Sequence, residues 1–145
     1  MSRSAGRRSA QLTLPPNATS PARARRFVTS TLTAWRVDGS DDLLLLASEL
    51  VTNALLHART TMTIRLDDEG DDVVRLAVTD GSPLDLQQRH FSVESGTGRG
   101  LRLLDAVALD WGVRHGRGGK TVWCRVSLAA EASYGTFDVD AVEAL

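Results

Sequence analysis

The sequence has little of what disulfide-bonded, metal-stabilised or membrane-spanning proteins require. It contains one cysteine, Cys124, which excludes an internal disulfide, and its three histidines lack the spacing of metal ligands. No apolar run approaches the roughly 18 residues that a membrane span needs, and no apolar stretch follows the arginines near the N-terminus. We therefore expect a cytoplasmic protein with no membrane segment and no structural metal.

Charge is unevenly distributed along the chain. The net charge is −1, yet seven arginines precede the first acid, Asp38, and four acids but no base follow Arg125. A basic arm can contact nucleic acid, but the first ten residues contain no aromatic side chain and the whole chain is slightly acidic. The sequence favours a solvated, poorly ordered arm over direct binding of nucleic acid.

The length of 145 residues and the hydrophobic content of 42% predict a single domain with its own core. We expect a disordered arm over residues 1–10, a folded domain over 11–130 and an acidic C-terminal tail over 131–145. A long glycine-containing loop over 80–100 interrupts the domain, and loops of that length are usually functional.

Hydrophobic periodicity predicts the elements of the domain. Ser20 and Ser40 are each expected to cap a helix, the second of which runs to about Ala58. Strands are predicted over 10–14, 61–66, 73–80, 110–115 and 120–128, and a third helix over 101–109. The resulting order, β-α-α-β-β-α-β-β, predicts an α+β fold: a two-layer sandwich in which about three helices cover one face of a mixed β-sheet.

A polar stripe runs along the second predicted helix, in the segment "SELVTNALLHA". Glu49, Asn53 and His57 are each four residues apart, so they lie on one side of the helix. The amide oxygen of Asn53 is suited to Mg²⁺, and Glu49 could accept a proton from a nucleophile. Buried side chains bonded to neighbouring backbone would explain the same pattern, and we expect His57 to pack against the second strand.

Two glycine-rich segments suggest nucleotide binding, but neither has the usual spacing. "GGKT" at 118–121 lacks a P-loop's first glycine, because position 114 is Arg114. In "GTGRGL" at 96–101 the third glycine comes one residue too early for a dinucleotide fingerprint. Glycines just before a helix can nevertheless present bare N–H groups to a phosphate, although such turns also occur without a ligand.

Three segments together resemble a known superfamily. "ELVTNALLHA", "VTDGSP" and "GTGRGL" are similar to the N box and the two glycine boxes of the histidine-kinase-type ATPases, which include gyrase, the heat-shock chaperone, MutL and sensor kinases. The resemblance covers about residues 20–128. The stretch from "GRGLRLLDAVAL" to "GGKTVWCRV" is most similar to small stand-alone bacterial serine kinases that act as anti-sigma factors. The resemblance implies the Bergerat ATP-binding fold, with a lid loop over ATP.

The resemblance also implies roles for single residues. Asn53 would bind the Mg²⁺ that bridges the ATP phosphates, and Glu49 would be the general base. Asp80 would accept a hydrogen bond from the adenine amine, with support from Thr121. "GGKT" would thereby belong to the adenine pocket.

The two glycine boxes would complete the nucleotide site. Ser82, next to Pro83, stands where the superfamily prefers glycine, and Arg89 and Arg99 are two candidates for contact with the γ-phosphate. The second box would wrap the phosphates through the lid and the amides of the following helix, and it comprises Gly96, Gly98, Arg99, Gly100 and Leu101.

The resemblance implies a serine/threonine kinase that uses Mg·ATP. Its partners would be a small anti-sigma-factor antagonist carrying the acceptor serine and a sigma factor that the kinase sequesters, and the kinase would be a monomer or a homodimer. Two alternatives remain: an ATP-dependent binding module without kinase activity, and the catalytic half of a sensor histidine kinase. The latter is disfavoured because the sequence has no long helical hairpin to carry a phospho-accepting histidine.

Overall fold

The computed structural model describes residues 7–82 and 99–128. Within these residues the order of elements confirms the predicted α+β layout. None of the described helices is both long and apolar enough to cross a membrane. The elements are β1 (Ser9–Leu14), α1 (Ser20–Ala34), α2 (Asp41–His57), β2 (Met62–Gly70), β3 (Val73–Asp80), α3 (Arg99–Val107), β4 (Asp110–Gly116) and β5 (Gly119–Ser127).

The five described strands form one sheet in the order β1-β2-β3-β5-β4, and every neighbouring pair is antiparallel. The expectation of a mixed sheet is wrong in this respect. Strands β3 and β4 do run parallel, as a strand-helix-strand connection through α3 would give, but β5 lies between them and is antiparallel to both.

The helices pack on one side of this sheet and form the core with it. The core includes Leu43, Leu46 and Leu50 of α2, and on the sheet side Leu76 and Cys124, which lie opposite each other in register. Burial removes the Cys124 thiol from water and raises its pKa to about 12. The predicted two-layer arrangement is therefore confirmed, with a closely packed apolar middle.

The two helix starts differ from each other. The Ser40 side chain accepts a hydrogen bond of 3.0 Å from the Leu43 N–H, so it caps α2 as expected. Ser20 does not cap α1: it lies inside the first turn, and its hydroxyl donates to the Pro15 carbonyl at 2.5 Å. The buried hydroxyl thus ties α1 to the segment after β1.

The β2–β3 hairpin is longer than predicted, because most of the polar segment expected to form the turn is paired with β3 instead. β2 continues to Gly70, and the turn contains only Asp71 and Asp72. Asp68 is buried there, and its Oδ2 accepts hydrogen bonds from Arg8 at 2.9 and 3.3 Å. β1 accordingly begins at Ser9, inside the range expected for the arm.

Candidate functional site

A cavity lies at the opposite end of the β2–β3 hairpin from Asp68, between the helices and the sheet. Its walls come from α2, α3 and the three strands β3, β4 and β5. Most of the lining is apolar, and the exceptions are an amide, an imidazole, a carboxylate and an ammonium group. The lining residues are Leu50, Asn53, Ala54, His57, Val78, Asp80, Leu104, Val113, Lys120 and Val122.

Helix α2 presents one face to the cavity, because its four lining residues follow the i, i+3, i+4, i+7 spacing. The Oδ1 atom of Asn53 is buried and has no hydrogen-bond partner in the described part of the chain. Glu49 lies one turn earlier, is buried, and is not among the described residues that line the cavity. His57 lines the cavity but is exposed, so it is not packed away against a strand as expected.

Asp80, at the end of β3, is buried with 3% of its surface exposed. Its Oδ1 accepts hydrogen bonds from the Ser82 backbone N–H at 2.9 Å and from the Ser82 hydroxyl at 2.6 Å. Its Oδ2 lies 3.9 Å from the Nζ atom of Lys120. One carboxylate oxygen is therefore held by its own turn, and the other meets only a distant cation within the described residues.

Gly119 allows β5 to begin directly against Asp80. Its φ is +136°, and a Cβ atom there would lie 1.8 Å from the Asp80 carbonyl oxygen. Only glycine fits such an approach, and it sets the register in which Lys120 lies opposite Asp80. The structure thus places Gly119 and Lys120 of "GGKT" beside Asp80.

Lys120 is the residue that the sequence analysis missed. The signal was available, because side chains alternate between the two faces of a strand, so in the predicted strand over 120–128 Lys120 shares a face with Val122, Cys124 and Val126. Charged residues are seldom buried without a partner, so a lysine at a buried position of a strand marks a special environment.

The structure does not bring Thr121 to Asp80. Thr121 lies opposite Thr79 in register, and the two hydroxyls are 2.8 Å apart. Successive side chains of a strand point to opposite faces, so Thr121 lies on the face of the sheet away from Asp80 and the helices. In the described chain Asp80 instead accepts two hydrogen bonds from Ser82 and lies 3.9 Å from the Lys120 ammonium. The role of Thr121 that the resemblance implies stays a prediction.

The second glycine box is described only in part. Gly96 and Gly98, like Arg89, lie outside the described residues. Arg99, Gly100 and Leu101 form the first turn of α3.

The residues present fit a magnesium ion that is coordinated partly by the protein and partly by substrate phosphates. No group of three histidine, cysteine or acidic side chains able to hold a metal occurs within the described chain. Mg²⁺ at nucleotide sites is usually held by one or two protein oxygens together with substrate phosphates. The buried, unpartnered Oδ1 of Asn53 is an oxygen donor of this kind.

Comparison with known proteins gives a family. A search of curated proteins found no match to the chain. The family model described as a histidine kinase-like ATPase domain matches residues 14–126, which is more than half of the chain and includes every described wall of the cavity. The chain therefore belongs to the histidine kinase-like ATPase domain family.

Proposed function

We propose that this protein binds Mg·ATP in the cavity and transfers the γ-phosphoryl group to a serine or threonine hydroxyl of a partner protein. The observation that carries the proposal is the convergence of Asn53 and Asp80 on one largely apolar cavity. These two residues come from different boxes of the sequence, and each has an oxygen without a hydrogen bond in the described chain.

The adenine end of the cavity would be at Asp80. Its Oδ2 can accept a hydrogen bond from the exocyclic amine, while Ser82 holds Oδ1 and so fixes the carboxylate plane. Val78 and Val122 supply apolar contacts for the flat ring. A carboxylate in this position favours adenine, since guanine presents a carbonyl oxygen where adenine presents the amine.

The phosphate end would be at Asn53 and the N-terminus of α3. Asn53 Oδ1 would be the protein ligand of Mg²⁺, which when bound neutralises charge on the phosphates. The first turn of α3, which contains Gly100, has free backbone N–H groups that can donate to phosphate oxygens. Phosphoryl transfer depends mainly on such positioning and charge stabilisation.

Glu49 would act on the acceptor hydroxyl. The hydroxyl oxygen forms a bond to the γ-phosphorus, the bond from that phosphorus to the β–γ bridging oxygen breaks, and ADP leaves with the electron pair. The hydroxyl proton passes to the Glu49 carboxylate. Because Glu49 is one helical turn from Asn53, base and metal ligand are held on one rigid element.

The resemblance to stand-alone anti-sigma-factor kinases supports a small antagonist protein as the acceptor and a sigma factor as the sequestered partner. A second candidate function is an ATP-dependent binding module without transfer activity. It is favoured by one observation: Glu49 is not among the described residues that line the cavity.

Two substitutions on α2 test the proposal and separate the candidates. Glu49→Gln keeps size and shape but removes the base, so Mg·ATP affinity should stay within a few fold while transfer from labelled ATP falls by roughly 10² to 10⁴. Asn53→Ala removes the metal ligand and should weaken Mg·ATP binding itself. Calorimetry and transfer to candidate antagonist proteins, run side by side, give both quantities.

Transfer by Glu49→Gln at the wild-type rate would remove Glu49 from the mechanism. A wild-type protein that binds ATP and holds a partner tightly but phosphorylates none would establish the binding module instead. A wild-type protein with no affinity for ATP would contradict both candidates.

A further inference from the structure

Lys120 is unusual in both its rarity and its position. It is the only lysine in a chain with sixteen arginines, and only 6% of its surface is exposed. It lines the cavity together with Val78 and Val122, which lie opposite each other in register. A lysine normally keeps its ammonium in water, so its burial at the proposed adenine end needs a reason.

The ion pair with Asp80 does not provide that reason by itself. The Nζ–Oδ2 distance is 3.9 Å, which is too long for a hydrogen bond, and the two side chains are only 8% and 2% exposed. Removing two charges from water costs several kcal/mol per ion unless close contact and further hydrogen bonds offset it. Arg8 and Asp68 achieve such contact at 2.9 Å, whereas Lys120 and Asp80 do not.

The incomplete pair leaves a donor and an acceptor side by side on the cavity wall. Lys120 Nζ has no hydrogen bond in the described chain, and neither has Asp80 Oδ2. The strand register holds them there: Lys120 lies opposite Asp80, and only a glycine fits at position 119 against the Asp80 carbonyl oxygen. A ligand that completes the pair must present a donor next to an acceptor.

We propose that Lys120 is a second base-recognition residue, whose ammonium donates a hydrogen bond to a ring nitrogen of adenine adjacent to the amine that Asp80 accepts from. Adenine presents this combination, since its amine lies between two ring nitrogens with acceptor lone pairs, N1 and N7. The inference rests on the ATP binding proposed above and adds a residue to it. It also explains the 3.9 Å gap, because the base then bridges the two charged groups.

The first test measures binding of adenosine and of ATP to Lys120→Met, which keeps the length of the side chain and removes the donor. Both ligands should bind about tenfold or more weakly, by the same factor, because the lost hydrogen bond is to the base. Arg117→Met is the matched control, since it removes an exposed cation from the same β4–β5 turn. It should change neither affinity by more than about twofold.

Deaza analogues identify the ring nitrogen. Wild type should bind one of the two analogues, 1-deazaadenosine or 7-deazaadenosine, more weakly than adenosine. Lys120→Met should bind that analogue and adenosine equally, because the analogue and the substitution remove the two ends of one hydrogen bond. If both analogues bind wild type like adenosine, the inference is wrong. It is equally wrong if Lys120→Met weakens ATP but not adenosine, since the lysine then contacts phosphate.

A second readout does not depend on the folding of a variant. Because Lys120 is the only lysine, acetylation of the wild-type protein followed by peptide mass spectrometry reports on this one side chain. Adenosine at saturating concentration should slow its acetylation at least tenfold. An unchanged acetylation rate with adenosine bound would overturn the inference while leaving ATP binding intact. Failure of wild type to bind any nucleotide would overturn the proposed function, and this inference with it.

Discussion

Two buried aspartates at opposite ends of the β2–β3 hairpin have different surroundings. Asp68 and Asp80 are 2% and 3% exposed, and both lie on the face of the sheet that the helices cover. Asp68 Oδ2 is held by the Arg8 guanidinium at 2.9 and 3.3 Å, and its Oδ1 accepts from the Gly70 N–H at 3.1 Å. Asp80 Oδ2 has only Lys120, at 3.9 Å, within the described chain.

The difference separates structural burial from functional burial. A carboxylate whose two oxygens are both hydrogen-bonded within the protein is already satisfied without a ligand, and removal of its partner leaves a buried charge. A carboxylate that keeps one oxygen facing a cavity can still accept a hydrogen bond. Asp68 is therefore expected to contribute to stability and Asp80 to binding, although both belong to the same hairpin.

Cys124, between the two sites, provides the largest expected effect. The burial that raises its thiol pKa from 9.0 to about 12 should lower the thiolate fraction near pH 8 by roughly 10³. Alkylation should therefore be at least that much slower in the native protein than in urea. Because the folded pKa is raised, the neutral thiol's contribution to stability is complete below pH 9 and declines as the pH rises towards 12.

Equal alkylation rates in the native and unfolded protein would show that the middle of the sheet is open. In that case the comparison of Asp68 with Asp80 would fail, because it assumes that this face of the sheet is closed to water. With slow native alkylation, Cys124 becomes a reporter of folding for every variant below.

Asp68→Asn comes next in size. It leaves Arg8 without its charged partner, so the free energy of unfolding should fall by about 1.5 to 3 kcal/mol, as expected for hydrogen bonds to a charged group. Urea denaturation measures the change. Deletion of residues 1–6 is the control, since it retains Arg8 and should leave stability unchanged within about 0.5 kcal/mol.

A loss of ATP affinity in folded Asp68→Asn would contradict the division between the two aspartates. Unchanged stability would show that the Arg8 contact contributes nothing. Either result would be decisive, because the substitution changes one atom type and little volume.

Thr121→Val should have the smallest effect. The Thr121 hydroxyl bonds to Thr79 on the face away from the cavity, so ATP affinity should change by less than about twofold. Loss of the cross-strand hydrogen bond should cost about 0.2 to 1 kcal/mol of stability. A tenfold loss of ATP affinity would instead support the role in the adenine pocket that the family resemblance implies.

Much of the fold could be predicted because it depends on local patterns. Alternation in the hairpin strands and the Ser40 cap of α2 are visible in sequence and present in the structure. The extension of β2 through Asp68 was not predictable, because Asp68 is held there by Arg8, 60 positions away. The place of β5 between β3 and β4 is likewise a tertiary feature.

The candidate site was likewise predictable from the sequence only in part. The spacing of the boxes singled out Asn53 and Asp80, and the structure brings both to one cavity. Their roles in ATP binding stay predictions, as do those of Glu49 and the second glycine box. Lys120 was not predicted, because the resemblance implies a role for the neighbouring Thr121, whereas strand alternation places these two consecutive residues on opposite faces.

The most direct test is calorimetric titration of ATP into Asp80→Asn and Asp68→Asn, with Cys124 alkylation confirming that each variant is folded. Asp80→Asn should bind ATP roughly 10- to 100-fold more weakly than wild type, because it alters the oxygen that meets the base. Asp68→Asn should bind ATP like wild type while unfolding at a lower urea concentration. ATP affinity that is unchanged in Asp80→Asn, or lowered equally in both variants, would contradict the assignment of Asp80 as the binding carboxylate.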